Sequence, residues 1–158
     1  MRALIVSDSH GRCENLEKAI LQVRPDRLYH LGDSQGQADY IRSICECPAE
    51  FVCGNCDWYS ELPEEVVLSV GNHRILLTHG HNYFVKYNAM ELVAAAKKKE
   101  CDTVLYGHTH YPQIEQLDSV WVVNPGSISL PRQENRRPSF VVMDVDRAGD
   151  LHFTLNYL

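Results

Sequence analysis

Five short apolar runs in this chain are each followed, within a few residues, by a polar motif built from Asp, Asn or His. The first run, Ala3 to Val6, precedes Asp8 and His10. Short apolar runs of this kind are typical of strands that are buried on both faces. Because the carboxyl ends of such strands meet at one edge of an open α/β sheet, motifs far apart in sequence can converge there. The other four motifs are Gly32-Asp33, Gly54-Asn55-Cys56-Asp57, His79-Gly80-His81 and Gly107-His108-Thr109-His110.

Strands and helices alternate in the first half of the chain. Apolar residues at helical spacing follow the first strand until Pro25, and a second amphipathic pattern around Ile41 ends before Pro48. This strand–helix–strand–helix–strand order implies a parallel sheet with right-handed crossovers. Gly71-Asn72 then separates two apolar strands, as in a hairpin. The spacing predicts a further helix over roughly 87–100, with Met90, Leu92, Val93 and Ala94 facing inward.

From residue 112 onward the pattern is all strand, with turn signals at Asp118-Ser119 and Ala148-Gly149. The parallel first half and the antiparallel remainder predict an α/β fold. In this fold, two mixed β-sheets pack face to face with helices outside, as an αββα sandwich. Since the chain has 158 residues and no linker or repeat, we expect one domain over residues 1–158.

Charge and hydropathy exclude some classes of partner. The net charge of −6 and the pI near 5.7 argue against a groove that neutralises many phosphates, so duplex nucleic acid is not an expected partner. No apolar run is long enough to span a bilayer, and the apolar start is interrupted at Asp8, too early for a signal peptide. The sequence therefore predicts a cytoplasmic protein without a membrane partner, and it is compatible with a homo-oligomer.

The six cysteines raise the alternative of a thiolate site. Cys45-x-Cys47 and Cys53-x-x-Cys56 together have four sulfurs, as a zinc ribbon does. The single residue within the first pair, the apolar strand around Cys53, and the use of Gly54-Asn55 in another motif count against it. Free thiols packed as small apolar groups are the favoured interpretation. A redox or zinc site on Cys53-x-x-Cys56 remains an alternative.

The polar motifs together supply seven oxygen and nitrogen ligands. Carboxylate, amide and imidazole ligands without thiolate suit Mn²⁺, Fe, Ni²⁺ or Zn²⁺ rather than Ca²⁺. Seven ligands exceed the need of one ion, so the count favours two ions that share a bridging carboxylate. Gly32 permits a tight turn that aims the Asp33 carboxylate between two ions. The candidate metal ligands are Asp8, His10, Asp33, Asn55, His79, His108 and His110.

The ordered pattern resembles the calcineurin-like metallophosphoesterases from Asp8 to about Ser127. It is most similar to their small phosphodiesterase branch, in which the Gly-Asn-Cys-Asp motif of Gly54–Asp57 and the Asn-Pro-Gly-Ser motif of Asn124–Ser127 also occur. The resemblance implies a phosphoesterase, above all a phosphodiesterase, that acts on a small phosphoester with a metal-bound hydroxide as nucleophile. It implies two divalent metal ions, with manganese favoured and Ni, Fe, Zn or Mg as alternatives. It also implies that Asp33 bridges the ions, that Asp8, His10 and His110 complete one site, and that Asn55, His79 and His108 complete the other.

Position 56 departs from the wider family, because many members have histidine there, near the leaving group. A thiol that titrates near ~8.5 is a poor proton donor to an alkoxide. His81 is the candidate substitute, so the expected catalytic residues are Asp33, Asn55 and His81. Diesters and good leaving groups are therefore favoured over stable monoesters.

Other interpretations remain open. A phosphomonoesterase would use the same ligands, and a catalytically weak protein-binding scaffold shares the fold, as in the retromer subunit that the chain resembles. Loss of a ligand would mark such a scaffold, and here all seven positions are filled. A contact with substrate and a purely structural role are both open for four further residues: Tyr83, Tyr87, Arg132 and Arg136.

Overall fold

The computed structural model describes residues 1–158, which form ten strands, three α-helices and one short 3₁₀ helix at His81–Tyr83. The helices are α1 (Glu14–Val23), α2 (Ala38–Ile44) and α3 (Met90–Lys98). None of them is long and apolar enough to cross a membrane. The strands are β1 (Arg2–Val6), β2 (Arg27–His30), β3 (Ala49–Phe51), β4 (Glu65–Val70), β5 (His73–Thr78), β6 (Thr103–Leu105), β7 (Pro112–Leu117), β8 (Val120–Pro125), β9 (Ser139–Val145) and β10 (Leu151–Tyr157).

Two mixed sheets of five strands each form the framework. The first has the order β10-β9-β1-β2-β3, and the second has the order β4-β5-β6-β8-β7. Strands β1, β2 and β3 run parallel, as do β5, β6 and β8, whereas β9, β10, β4 and β7 pair antiparallel with their neighbours. The late strands β9 and β10 thus return to the sheet that the first strands begin. The predicted αββα sandwich is confirmed.

Alternation along β1 shows how the layers are built. Ala3 and Ile5 point into the core between the two sheets, whereas Leu4 and Val6 lie in a separate cluster with α1 and α2. All four side chains are fully buried. A strand covered on both faces reads as a continuous apolar run, which explains why no polar residue interrupts β1 before the site.

The second sheet is covered in the same way by α3. Leu76 of β5 packs outward against the helix, where Leu92, Val93 and Ala96 are buried. The prediction that Met90 and Ala94 face inward is wrong, since Met90 is 54% exposed and Ala94 is also exposed. The helix begins only at Met90, which therefore lies at the edge of the contact, and Ala94 is two 100° steps around the axis from Leu92.

The architecture brings the carboxyl ends of five strands to one edge of the sandwich. In the first sheet β1, β2 and β3 are parallel neighbours, and in the second β5 and β6 are parallel neighbours. Each of these five strands ends just before one of the five polar motifs. The hairpin between β9 and β10 lies at the opposite end, where the Val145 amide donates to the carbonyl of Met1.

Candidate metal centre

Hydrogen bonds donated by backbone amides join the motifs to one another. The amide of His10 donates to the carbonyl of Asp33 at 2.9 Å, and the amide of Gly107 donates to the carbonyl of His79 at 3.1 Å. The two sheets are joined by the amide of His108, which donates to Oδ2 of Asp8 at 3.1 Å. Motifs from both sheets therefore form one connected edge.

Carboxylate oxygens and imidazole nitrogens converge at this edge. Oδ2 of Asp33 lies 3.7 Å from Nε2 of His10 and 3.4 Å from Nε2 of His79. Oδ1 of Asp8 lies 3.2 Å from Nε2 of His110 and 3.9 Å from Nε2 of both His10 and His79. Three sets of atoms lie close enough to hold an ion: Asp8, His10 and His110; Asp8, Asp33 and His79; and His10, Asp33 and Cys56.

Two of these imidazoles are oriented by their far nitrogens. Nδ1 of His110 donates to the carbonyl of Leu130 at 2.6 Å, and Nδ1 of His79 donates to the carbonyl of Leu31 at 2.6 Å. A proton on Nδ1 leaves the lone pair of Nε2 facing the cluster, which is the usual arrangement of metal-binding histidines. Oδ1 of Asp8 is buried and has no hydrogen-bond partner. An orphaned carboxylate oxygen facing imidazole lone pairs fits a divalent cation.

The backbone at the proposed ligands has an uncommon conformation. Asp8, His10, Asp33, His108 and His110 all have positive φ values, from 49° to 68°. This left-handed region is unfavourable for residues with a Cβ, and such strain clusters at functional sites. The conformation is shared by the ligand pairs Asp8-x-His10 and His108-x-His110, so it directs each pair of side chains toward the centre.

Asn55, His108 and His81 also lie at the centre. Oδ1 of Asn55 is 3.2 Å from Nε2 of His79. The ring of His108 lies 5.1 Å from the ring of His79, measured between centroids, and the ring of His81 lies 6.2 Å from that of His108. His81 therefore lies beside His79 and His108, and its buried Nδ1 has no hydrogen-bond partner.

The carboxyl groups of the centre are biased toward ionisation. Burial alone would raise the pKa of Asp8, but its interactions with His110 and His79 outweigh burial and lower that pKa. Burial likewise opposes ionisation of Asp33, and its interactions with His79 and the amide of Cys56 lower its pKa overall. Both side chains are therefore available as anionic ligands at neutral pH.

The pKa values of the histidines shift in different directions. Burial, followed by the charge of His79, lowers the pKa of His108 to about 4. The same two causes lower the pKa of His81. Burial would also lower the pKa of His79, but its bond to Asp33 and the charge of Asp8 raise it. His108 and His81 are therefore neutral at pH 7, with a nitrogen lone pair free to bind, whereas the neighbouring carboxylates favour the protonated form of His79.

Asp57 holds two loops of the candidate centre together, a role that the sequence analysis did not predict. It is buried, and its Oδ2 accepts from the amides of Asp33 at 2.7 Å and Gly54 at 2.8 Å. Its Oδ1 accepts from the amide of Gln35 at 2.5 Å and from Oγ of Ser34 at 3.3 Å. One carboxylate thus ties the loop after β2 to the loop after β3. Its signal was its place in the Gly-Asn-Cys-Asp motif.

Gly54 lies too close to Asp33 for a residue with a side chain to replace it. A Cβ built on Gly54 would overlap Oδ1 of Asp33 and come within 2.8 Å of its Cγ. The space that a methyl group would fill belongs to the carboxylate at the middle of the centre. The glycine before Asn55 is thus required by close approach of two loops.

The cysteines do not form the four-thiolate site. None of the three candidate ligand sets contains more than one cysteine, and all six thiols are free. Sγ of Cys45 lies 3.0 Å from Sγ of Cys47, whereas Sγ of Cys53 lies near the carbonyls of Gly54 and Asp57. The structure therefore does not bring the two cysteine pairs together.

Cys56 lies at the centre itself. It belongs to the set with His10 and Asp33, and its amide donates to Oδ1 of Asp33 at 2.7 Å. Burial, followed by the negative charge of Asp33, raises the pKa of the Cys56 thiol to about 11. A thiol with this pKa is neutral at pH 7, and a neutral thiol is a weak nucleophile and a poor ligand.

Of the four residues whose role the sequence left open, Arg132 has a hydrogen bond to a candidate ligand. Arg132 lies beside the centre, since its amide donates to the carbonyl of His110 at 3.3 Å. Tyr83 instead donates its hydroxyl to a carboxylate oxygen of Glu65. Tyr87 is 86% exposed. Arg136 is exposed, and its amide donates to the carbonyl of Gln133 at 3.0 Å.

Comparison with known proteins gives one family and a consistent set of relatives. Residues 1–148 match the model of the calcineurin-like phosphoesterase superfamily domain. The chain is 33% identical over 148 residues to YsnB of Bacillus subtilis, described as a probable metallophosphoesterase, covering 92% of this chain and 85% of that protein. A solved structure from Streptococcus pneumoniae, described as an uncharacterized protein and predicted phosphoesterase, is 31% identical with a TM-score of 0.83 and covers 99% of this chain and 88% of its own.

Two more distant solved structures share the fold. One is an archaeal phosphodiesterase, 21% identical with a TM-score of 0.78, and it covers 100% of both chains. The other is vacuolar protein sorting 29 from Entamoeba histolytica in complex with zinc, 20% identical with a TM-score of 0.79, and it covers 99% of both chains. At this level of identity the likeness concerns the fold alone.

Proposed function

This chain belongs to the calcineurin-like phosphoesterase superfamily, and from that membership we propose that it is a phosphodiesterase with a two-metal centre. Its family is metal-dependent, and the donor atoms at the strand ends fit divalent cations. The proposal assigns Asp8, His10 and His110 to one ion and Asn55, His79 and His108 to the other, with Asp33 shared. Manganese is the favoured ion, with Ni, Fe, Zn or Mg as alternatives.

The observation that carries the proposal is the position of the Asp33 carboxylate. It belongs to one ligand set with His10 and to another with Asp8 and His79. Two imidazole nitrogens, one from His10 and one from His79, approach the same oxygen at 3.7 and 3.4 Å. A carboxylate reached from two sides is the group that a two-metal centre needs as its bridge.

The remaining residues have roles that follow from their chemistry. Bound divalent ions would neutralise phosphate charge and provide a nucleophilic water near pH 7. Asn55 offers a neutral oxygen that adds no charge to the centre, which favours an anionic substrate. His81, neutral and beside His108, would donate a hydrogen bond to the oxygen of the leaving group. Asp57 holds the Asp33 and Asn55 loops in register.

Preference for diesters is supported by the space around the centre. Two open cavities flank it, one of about 650 Å³ bordered by Gln35, Cys56 and Trp58, and one of about 560 Å³ bordered by Tyr106 and Thr109. A phosphodiester carries an ester group on each side of phosphorus, whereas a monoester would use only one cavity. Cys56 also lacks the matched pKa of a general acid, which favours substrates whose leaving group needs little protonation.

A protein-binding scaffold of the same fold is the second candidate, because one structural neighbour is a vacuolar sorting protein. The ligand set argues against this role. Asp8, His10, Asp33, His79 and His110 form the shared ligand sets, and Asn55 and His108 lie beside His79. The buried Oδ1 of Asp8 has no hydrogen-bond partner, as expected for an oxygen that binds a cation. A scaffold would have no need to preserve an uncompensated buried carboxylate.

The test is hydrolysis by the metal-reconstituted protein. Mn²⁺-loaded protein is assayed with bis(4-nitrophenyl) phosphate, 4-nitrophenyl phosphate and cyclic nucleotides, beside Asp33→Ala and His108→Ala variants. The diester should turn over fastest, and both variants should lose kcat by roughly 10²-fold or more while remaining folded. Asp150→Ala, which removes an exposed carboxylate at the opposite end of the sandwich, is the matched control. Unchanged turnover by folded Asp33→Ala protein would reject the enzyme proposal in favour of the scaffold.

A further inference from the structure

The smaller of the two cavities has a chemical character of its own. It has a volume of about 560 Å³ and lies along the Gly107–His110 loop. Its walls combine two tyrosine rings with two basic side chains. The residues that line it are Val85, Lys86, Tyr106, Thr109, Tyr111, Pro112, Gln113 and Arg132.

This cavity lies beside the proposed metal centre. Thr109 stands between the candidate ligands His108 and His110, and the amide of Arg132 donates to the carbonyl of His110. Arg132 is therefore joined through its backbone to a candidate ligand, and Lys86 lines the same cavity.

Neither cation has an anionic partner within the protein. Lys86 and Arg132 are exposed, and neither takes part in a salt bridge. The chain has 21 acidic and 15 basic residues, so unpaired cations facing one cavity are not imposed by a basic composition. Two like charges beside a centre that binds cations repel one another, and an anion in the cavity would relieve this repulsion.

The larger cavity offers the contrast. Its one arginine, Arg42, is paired with Asp39 at 2.9 Å, and Glu61 adds a further negative charge. Trp58 and Tyr59 at its rim are 78% and 101% exposed. The two cavities beside the centre therefore differ in charge, because one is acidic and aromatic and the other is basic.

We propose that the basic cavity binds a second anionic group of the substrate, separate from the scissile phosphoester, through Lys86 and Arg132. This inference rests on the proposed phosphodiesterase function. The preferred substrate is then a diester in which one ester group carries a carboxylate or phosphate within a few bonds of phosphorus. The Lys86 ammonium and the Arg132 guanidinium make charge-assisted hydrogen bonds to that group. The uncharged ester group faces the larger cavity, which Trp58 borders, and is the leaving group.

A matched substrate series tests this directly. Three diesters share 4-nitrophenol as leaving group and carry 3-hydroxypropanoate, its neutral amide isostere 3-hydroxypropanamide, or 2-hydroxyethylphosphonate as the second alcohol. The carboxylate and phosphonate arms distinguish the two sources of negative charge. In the wild-type protein the charged diesters should exceed the amide in kcat/KM by about tenfold, chiefly through KM. The ratio should fall as ionic strength rises.

Charge-removing variants locate the effect. Lys86→Gln combined with Arg132→Gln should bring the ratio of charged to neutral diester close to one. The control is Lys18→Gln combined with Arg147→Gln, which removes two exposed, unpaired cations far from the cavity and should leave the ratio unchanged. A ratio that persists in the Lys86/Arg132 double variant would overturn the assignment of these residues.

The inference and the proposed function fail in different ways. Hydrolysis of all three diesters at equal kcat/KM would overturn the anionic cavity and leave the phosphodiesterase proposal standing. If no diester is hydrolysed, the phosphodiesterase proposal fails. The anionic cavity is then tested by the binding of small phosphonates to the protein. In that experiment, 3-phosphonopropionate should shift the amide resonances of Thr109 and Tyr111 at concentrations where ethylphosphonate does not. Equal shifts with both compounds would contradict the inference.

Discussion

Nε2 of His110 lies 3.2 Å from Oδ1 of Asp8, and that oxygen is buried without a hydrogen-bond partner. The opposite nitrogen of the ring already donates its proton to the carbonyl of Leu130. In the neutral imidazole, two lone pairs therefore face each other across the gap. Such a pair is stable only with a positive charge between the two atoms, supplied by a second proton or by a cation. This contact is one reason why we propose a metal centre at the strand ends.

Asp57 should be as important for metal binding as a ligand, although it does not face the ions. In Asp57→Asn the new amide group places donors against backbone amides that now donate to a carboxylate. We expect Mn²⁺ affinity to fall by about 10- to 100-fold and the free energy of unfolding to fall by about 2 kcal/mol. Calorimetric metal titration and urea denaturation measure the two effects. Asp150→Asn is the control, and equal metal affinity of the two variants would show that the loop anchor is dispensable.

Gly54→Ala should damage the centre through a single methyl group. The new Cβ would occupy the space of the Asp33 carboxylate, so that side chain must move away from the ions. The control is Gly36→Ala, where a Cβ meets nothing within 4 Å although φ is +79°. We expect Gly36→Ala to cost only about 1 kcal/mol of backbone strain, whereas Gly54→Ala should also weaken metal binding. Normal metal stoichiometry in Gly54→Ala protein would contradict this.

Cys56 should be neither a nucleophile nor a metal ligand. Its thiol, with a pKa raised to about 11 by burial and then by Asp33, is protonated at neutral pH. Cys56→Ser should keep most of the activity toward an activated diester. Cys56→His should raise turnover of substrates with poor leaving groups, because imidazole donates a proton near neutral pH. Complete inactivation of Cys56→Ser with unchanged metal content would reveal a chemical role for the thiol.

His30 should make stability depend on pH on the acid side. Burial is the main cause that lowers its pKa from 6.5 to about 4. Between these values the unfolded chain binds a proton that the folded chain does not, so this stability is complete above pH 6.5 and is lost as pH falls. The loss should reach about 3 kcal/mol at pH 4. His30→Gln keeps a partner for Oγ of Ser9 and should unfold with a weaker pH dependence. Parallel urea curves for both proteins from pH 7 to pH 4 would contradict this.

Local patterns explain why the strands and the candidate ligands could be predicted. Ala3 to Val6 is buried on both faces and therefore reads as an apolar run, and Asp8 marks the point where the chain leaves the sheet. The Gly71-Asn72 hairpin follows from turn chemistry in the same way, since Val70 pairs with His73. These features depend on neighbours in sequence, so the sequence indicates them directly.

Long-range packing explains what the sequence did not indicate. The return of β9 to pair with β1 joins residues about 140 positions apart, as in Arg2 with Asp144. Asp57 acts by accepting from the amides of Asp33, Gln35 and Gly54, and the motif that contains it does not indicate these contacts. The exposure of Met90 depends on where α3 begins relative to the second sheet. Each of these is decided by tertiary contacts.

The number and positions of the bound metal ions decide whether Asp33 bridges a two-metal centre. The protein is saturated with Mn²⁺, its metal content is measured, and anomalous scattering is recorded from metal-loaded crystals. We expect two ions per chain, with two anomalous peaks on either side of the Asp33 carboxylate. A single peak that persists at saturating Mn²⁺, or two peaks that do not share Asp33, would contradict it.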